Sequence, residues 1–247
     1  MADIAGHADI LRDFPLLAQA CTGWGTVILR ASSSIGGNLA QRPQCAYYRR
    51  HIPCLKNGGS ACPARDNSAA QIAILEGGPC FMVHPSDLAV ALVALDAGIE
   101  IAGPAGARIV PAAEFFVLPR DRVDRETVLE DDELISSIHL PIEARGGVQS
   151  YARHAQDGQG TFDFVSLAAV RRLDGDVRLV LGGVSPRPYR VYTSVEEEAM
   201  SGGLDEDAIA GLAERALLDA EPLAMNGEKL ELAAVLLRNA IKLIAAE

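Results

Sequence analysis

The stretch from Arg42 to Cys80 constrains this chain more than any other. It carries Cys45, Cys54, Cys62 and Cys80, four of the five cysteines in 247 residues. They stand among Pro43, Tyr47, Tyr48, Pro53, Gly58, Gly59 and Pro63, with little hydrophobic periodicity. So long an irregular segment loses backbone entropy that apolar packing alone does not recover, so something else must hold it. Four thiolates around a metal ion or an inorganic cluster would do so. The cysteines are separated by eight, seven and seventeen residues, without a C-x-x-C knuckle of the zinc-ribbon kind. Loosely spaced loop cysteines can each reach one corner of a cubane, and four of them suit a [4Fe–4S] cluster. Structural zinc, two disulfides and four unrelated thiols stay open on spacing alone, disulfides being disfavoured because nothing marks the chain as secreted.

Composition narrows the partners. The net charge of −11 opposes binding to nucleic acid or to an anionic membrane surface. No apolar run reaches the length of a membrane span, and the N-terminus lacks a basic-then-apolar signal. The expected compartment is the cytoplasm, or the periplasm if the chain is exported with a partner subunit. The length allows one large or two small domains.

Along the chain, Ile4 to Ala20 reads as helix interrupted at Pro15. Trp24 to Leu29 has the look of a strand, and Ala31 to Asn38, all small or polar apart from Ile35, reads as a turn whose backbone could approach an anion or a planar ring. Cys80 to Val83 is expected as a strand. His84-Pro85-Ser86-Asp87 then opens a helix, with Ser86 and Asp87 as caps and Leu88 to Leu95 as its apolar stripe. Ile99–Ala102 and Arg108–Val110 form a hairpin around Gly103-Pro104; Glu114 to Leu118 leads into a charged loop, and Asp131 to Leu140 ends as a strand. Pro141 to Val148 is a boundary. Beyond it, Phe164–Arg172 and Val177–Gly183 pair across Asp174-Gly175, and Glu196–Met200, Asp205–Leu218 and Leu230–Ala246 are helices. This half reads as a small antiparallel sheet covered by helices, an α+β arrangement. Cys21 lies outside the quartet and reads as a buried small hydrophobe. His84 reads as a structural partner at a helix start.

The order Ser34-Ile35-Gly36-Gly37-Asn38, Gln41-Arg42, Cys45-Ala46-Tyr47-Tyr48-Arg49, Cys54, Gly59-Ser60-Ala61-Cys62, Cys80 and His84-Pro85-Ser86-Asp87-Leu88-Ala89 resembles the flavin subunit of molybdenum hydroxylases. That family includes xanthine dehydrogenase, carbon monoxide dehydrogenase and bacterial aldehyde oxidoreductases. The likeness is greatest to the branch whose flavin subunit carries an extra [4Fe–4S] cluster, as in periplasmic aldehyde oxidoreductase and 4-hydroxybenzoyl-CoA reductase. Leu181-Gly182-Gly183-Val184-Ser185-Pro186-Arg187-Pro188, with Asn226, Lys229 and Leu232, resembles the family's closing domain. The resemblance implies an α+β fold in two parts. Residues 1–143 would be the second subdomain of an FAD-binding PCMH-type domain, with an iron–sulfur loop at about 39–83. Residues 147–247 would resemble the C-terminal domain of carbon monoxide dehydrogenase flavoproteins.

The resemblance also implies a role and a site. The chain would pass electrons from a molybdenum-cofactor subunit and a [2Fe–2S] small subunit, through FAD, to an external acceptor, the flavin supplying the redox chemistry. The substrate would belong to another subunit. Ser33, Ser34, Gly36, Gly37 and Asn38 would lie along the FAD, Ser86 and Asp87 would hydrogen-bond its ribityl or phosphate region, and Ile135 and Lys229 would be further cofactor positions. Cys45, Cys54, Cys62 and Cys80 would hold the cluster. Arg42, Arg49 and Arg50 would either offset its negative charge or form a solvated basic face.

Several stretches depart from the family. Where its members have Arg-Asn-x-x-Thr, this chain has Arg30-Ala31-Ser32-Ser33-Ser34, and the stretch from Arg153 to Asp163 also differs. No Ala-Gly-Gly-Thr-type loop for the FAD pyrophosphate precedes Ser34. Half of the FAD site is therefore expected from a separate chain, or the flavin is held weakly. The alternative is a flavin-free docking module whose cysteines hold a structural metal or cluster.

Overall fold

Pro15 divides the N-terminal apolar run, because its ring cannot continue a helix but suits the first turn of a new one. The computed structural model describes residues 1–66, 69–155, 164–201 and 203–246. Three helices replace the single one expected: α1 (Ala2–Gly6), α2 (Ala8–Asp13) and α3 (Pro15–Gly23). The strand expected at Trp24–Leu29 is instead α4 (Val27–Ser32), where Thr26 Oγ1 accepts a hydrogen bond from the Leu29 amide. Val27 and Ile28 are largely exposed there, and without a neighbouring strand the apolar run closes its hydrogen bonds within a helix. The expected turn at Ala31–Asn38 also ends as a helix, α5 (Ile35–Leu39), capped by Ser34.

The cysteine segment contains α6 (Ala46–Arg49), a 3₁₀ turn at Leu55–Asn57 and α7 (Pro63–Asp66). Residues 80–83 form no strand, contrary to expectation. The Phe81 carbonyl accepts one hydrogen bond, from the Ala73 amide at 2.8 Å, so no ladder forms. Next comes α8 (Asp87–Ala94), buried along its whole length and capped by Ser86, whose Oγ accepts from the Ala89 amide at 3.0 Å. The hairpin of β1 (Gly98–Gly103) and β2 (Gly106–Pro111) follows, then α9 (Ala112–Phe115) and β3 (Leu134–His139). These strands form an antiparallel sheet in the order β2-β1-β3.

The second sheet runs β4-β5-β6-β7, all antiparallel. Its strands are β4 (Val148–His154), β5 (Val165–Arg171), β6 (Val177–Gly182) and β7 (Tyr189–Arg190). Sequence periodicity gave no sign of β4, whose Gln149 is buried rather than outward. Its amide donates to the carbonyls of Ala144 and Gly146, and its Oε1 accepts from the Leu16 amide. Residues 156–163, most of the divergent stretch after Arg153, lie outside the described residues. Helices α10 (Thr193–Ala199), α11 (Glu206–Ala216) and α12 (Glu228–Ala245) complete the chain.

The fold is α+β, as the sequence indicates, but its two cores interlock. Ala168, Val170 and Val180 on one face of the second sheet join the core of α3, α8 and the first sheet. Leu167, Ala169, Leu179 and Leu181 on the other face join α10–α12, together with Ile74 and Leu75 from the N-terminal half. Covered on both faces, β5 reads as a continuous apolar run rather than an alternating one. Gly182 permits the close approach of α8: a Cβ there would lie 2.6 Å from Val90 Cγ2 and 2.3 Å from Ser166 Oγ.

Candidate functional site

Two neighbouring regions gather the residues singled out in the sequence. The first surrounds α5. Ser33, Ser34, Gly37 and Asn38, with Trp24 and Gln41, line a cavity of about 270 Å³. Ser34 Oγ accepts from the Gly37 amide at 3.0 Å, which fixes the start of α5. Asn38 is buried, and its Oδ1 accepts from Ser86 Oγ at 2.6 Å. That contact commits the Asn38 oxygen and leaves its Nδ2, like Trp24 Nε1, a buried donor without an acceptor among the described residues. An orphaned buried donor costs about 1–3 kcal/mol, and two on one cavity ask for an acceptor-bearing ligand.

The other expected positions take different parts. The Ser86 hydroxyl is engaged twice, donating to Asn38 and accepting from Ala89, so it acts by orienting Asn38. Asp87 is buried in the first turn of α8. Gly36 faces away from the cavity toward Ile135 on β3; a Cβ at Gly36 would meet the Ile135 Cβ at 3.5 Å. Lys229, expected as a further cofactor position, is neither a lining residue of this cavity nor exposed. It is 1% accessible, donates to the Gly183 carbonyl at 2.6 Å and lies 4.9 Å from the centre of the Phe164 ring. Burial lowers its pKa from 10.5 to about 7.

The second region is the cysteine segment. Cys45, Cys54, Cys62 and Cys80 all line one cavity, with Tyr47, Tyr48, Lys56 and Met82 among its other walls. All are free thiols, so the disulfide alternative is not realised. Gly59 closes the turn: its amide donates to the Cys54 carbonyl at 2.8 Å, and a Cβ would collide with Pro53 and the Cys54 nitrogen. The Cys62 and Cys80 thiols share a hydrogen bond that makes Cys62 the more acidic and raises Cys80; burial opposes the first effect and adds to the second. The cavity is only about 10 Å³, at the threshold for one water. Among the described residues, no group of three or more His, Cys, Asp or Glu side chains is gathered as for a single metal ion. Four cysteine side chains on one wall are the donor set of a thiolate-bound cluster, and the space between them would have to widen to admit one.

The surroundings of this cavity were only partly legible. Arg42 ion-pairs with buried Glu126 at 2.9 Å and stacks over Tyr48, while Arg49 donates to the Pro43 and Arg42 carbonyls. The sequence reading passed over Lys56 and Glu126, whose side chains are buried against each other at 2.6 Å. A lysine two residues after Cys54, inside the cysteine-bearing segment, was the available hint; its carboxylate partner, far along the chain, was not. Cys21 is fully buried as expected, and burial raises its pKa to about 11. His84 is buried edge-on to Phe116, and burial drops its pKa to about 4, so it is neutral at physiological pH. A wider cleft of about 660 Å³ lies near Glu76, Arg187 and Tyr192. Its groups are already engaged: Glu76 accepts from Ser185 and Arg187, and Tyr192 donates to Asp219.

Residues 1–143 match the family described as the FAD binding domain in molybdopterin dehydrogenase. The chain belongs to this family. It is 35% identical over 235 residues to the aldehyde oxidoreductase FAD-binding subunit PaoB of Escherichia coli (strain K12), covering 94% of this chain and 71% of that subunit. The xanthine dehydrogenase FAD-binding subunit of Escherichia coli O157:H7 is 27% identical over 183 residues, which cover 70% of this chain and 59% of that subunit. These family members are oxidoreductase subunits by name. Two solved structures share the fold across 99% of this chain. Carbon monoxide dehydrogenase from Hydrogenophaga pseudoflava superposes with a TM-score of 0.67 at 21% identity, with 71% of its chain covered. Quinoline 2-oxidoreductase from Pseudomonas putida 86 gives 0.69 at 20% identity, with 72% covered. Among the described residues, no helix is long and apolar enough to cross a membrane.

Proposed function

We propose that this chain is the electron-transfer flavin subunit of a molybdenum-dependent hydroxylase or dehydrogenase, binding part of an FAD and carrying a [4Fe–4S] cluster. The observation that carries the flavin assignment is the Asn38 amide, buried beside the α5 cavity, oriented by Ser86 and lacking an acceptor. An FAD-binding-domain family member with such a donor is suited to a phosphate or ribityl oxygen. Ser33, Ser34 and Gly37 complete the wall, while Gly36, Ile135 and Asp87 support it. A cavity of about 270 Å³ falls below the usual range for a drug-sized ligand, roughly 300–1,000 Å³. It would hold one portion of a dinucleotide, with the remainder contacted by other residues or another chain. Lys229 takes a structural role in this reading.

Cys45, Cys54, Cys62 and Cys80 would hold the cluster, which supplies one-electron storage when bound. Cys80 stands six residues before Ser86, so one short segment joins the cysteine cavity to the residue that orients Asn38. Electrons would come from molybdenum-cofactor and [2Fe–2S] subunits and leave through FAD to an external acceptor. Adding FAD to the purified protein should quench flavin fluorescence saturably. No saturable quenching would favour the flavin-free docking module, for which the exposed Val27 and Ile28 of α4 offer an apolar contact. Anaerobic preparations should contain about four irons and absorb broadly near roughly 400 nm; colourless, iron-free protein would remove the cluster from this assignment.

A further inference from the structure

Lys56 deepens the cluster assignment and rests on it. The lysine lies in the 3₁₀ turn after Cys54 and lines the same cavity as the four cysteines. Only 1% of its side chain is accessible, and its ammonium donates to the Val123 carbonyl at 2.7 Å beside Glu126 Oε1 at 2.6 Å. Glu126 is 4% exposed and is also reached by Arg42, at 2.9 Å. Two cations thus share one carboxylate, so the Arg42–Glu126–Lys56 group carries a net positive charge, and Lys56 is its member on the cavity wall.

Such an arrangement does not explain itself as a stabilising contact. Desolvating an ion pair costs several kcal/mol per ion, and an apolar pair of similar volume is often as stable. A fixed cation in a water-poor wall has a different use: it lowers the energy of additional negative charge nearby. One-electron reduction of a bound cluster would add one negative charge next to this cation.

We propose that Lys56 raises the reduction potential of the cysteine-bound cluster, with Glu126 as the counter-charge that fixes its position and moderates its effect. The test is an anaerobic dithionite titration, followed by the electron paramagnetic resonance of the reduced cluster, on full-length protein reconstituted with ferrous iron and sulfide. Lys56→Met should lower the midpoint potential, Lys56→Arg should stay near wild type, and Glu126→Gln should raise it. Shifts of opposite sign cannot come from a general loosening of the loop. Equal potentials in all four proteins, or shifts of the same sign in Lys56→Met and Glu126→Gln, would overturn the role of Lys56 while leaving the cluster in place. If Lys56→Met retains no iron, a Glu126→Gln potential above wild type supports the proposal and one at or below it overturns it. A wild type that takes up no iron removes the cluster assignment and this inference together.

Discussion

The α5 cavity and the cysteine cavity are neighbours built on opposite principles. Around α5 the walls are set before any ligand arrives. Ser34 caps the helix, Ser86 caps α8 and orients Asn38, and about 270 Å³ stays open beside donors lacking partners. Around the cysteines only about 10 Å³ is open, two thiols share a hydrogen bond, and the loop is fastened by the Lys56–Glu126–Arg42 ion pairs. The first region is preorganised because hydrogen bonds to secondary structure fix its geometry. Under the cluster assignment proposed above, the second would reach its working shape only with its cofactor, since thiolate ligation would itself be part of the folding energy there.

The contrast breaks if the two regions fail to separate under mutation. Cys54→Ser has the largest expected effect: iron content should fall from about four per chain to below half of that, while the FAD titration stays as in wild type. Loss of FAD binding in that variant would show the α5 cavity to depend on the cluster. If ordering in the cysteine loop is coupled to the proposed cluster, chelating the iron should speed proteolysis within residues 42–80 and leave the fragment from α8 onward intact.

Lys229 sharpens the comparison from a third location, where a charge is buried with no cofactor required. Its folded pKa of about 7 lies below the ordinary 10.5, so between those values the unfolded chain holds a proton that the folded chain lacks. Stability should therefore rise with pH from about 7 to 10.5, by on the order of a few kcal/mol. Denaturant titrations across that range should show the slope in wild type and its loss in Lys229→Met.

Asn38→Ala should weaken FAD about 10- to 100-fold, the cost of a hydrogen bond to a charged or strongly polar acceptor, with iron content unchanged. Ser86→Ala comes last. It removes a helix cap worth about 1 kcal/mol and frees the Asn38 amide, so melting temperature and FAD affinity should both fall modestly. If Ser86→Ala costs more flavin affinity than Asn38→Ala, then Ser86 contacts the flavin directly instead of acting through Asn38.

The legible parts of this fold were those governed by neighbours in the chain. Ser86 ahead of an apolar stripe specified α8, because capping and burial are both local there. The β1–β2 hairpin and the β5–β6 pair were readable from their turns. Trp24–Leu29 was misread because a short apolar run does not declare whether a strand will have a partner; here none lies alongside, and Thr26 starts a helix. The polar pattern of β4 hid the inward Gln149, whose partners belong to α3 and to the turn before the strand.

By itself the order of residues determined the family and the α+β class, and it nominated the side chains proposed here to hold the cofactors. Those follow from motif identity and from patterns that repeat within a few positions. Only the tertiary structure decided that Ser86 donates to Asn38, that Gly36 packs on Ile135, that Lys229 is buried on a carbonyl, and that Lys56 meets Glu126 behind the cysteines. Each of those contacts joins residues tens of positions apart, and their energies depend on desolvation, which one-dimensional spacing does not record.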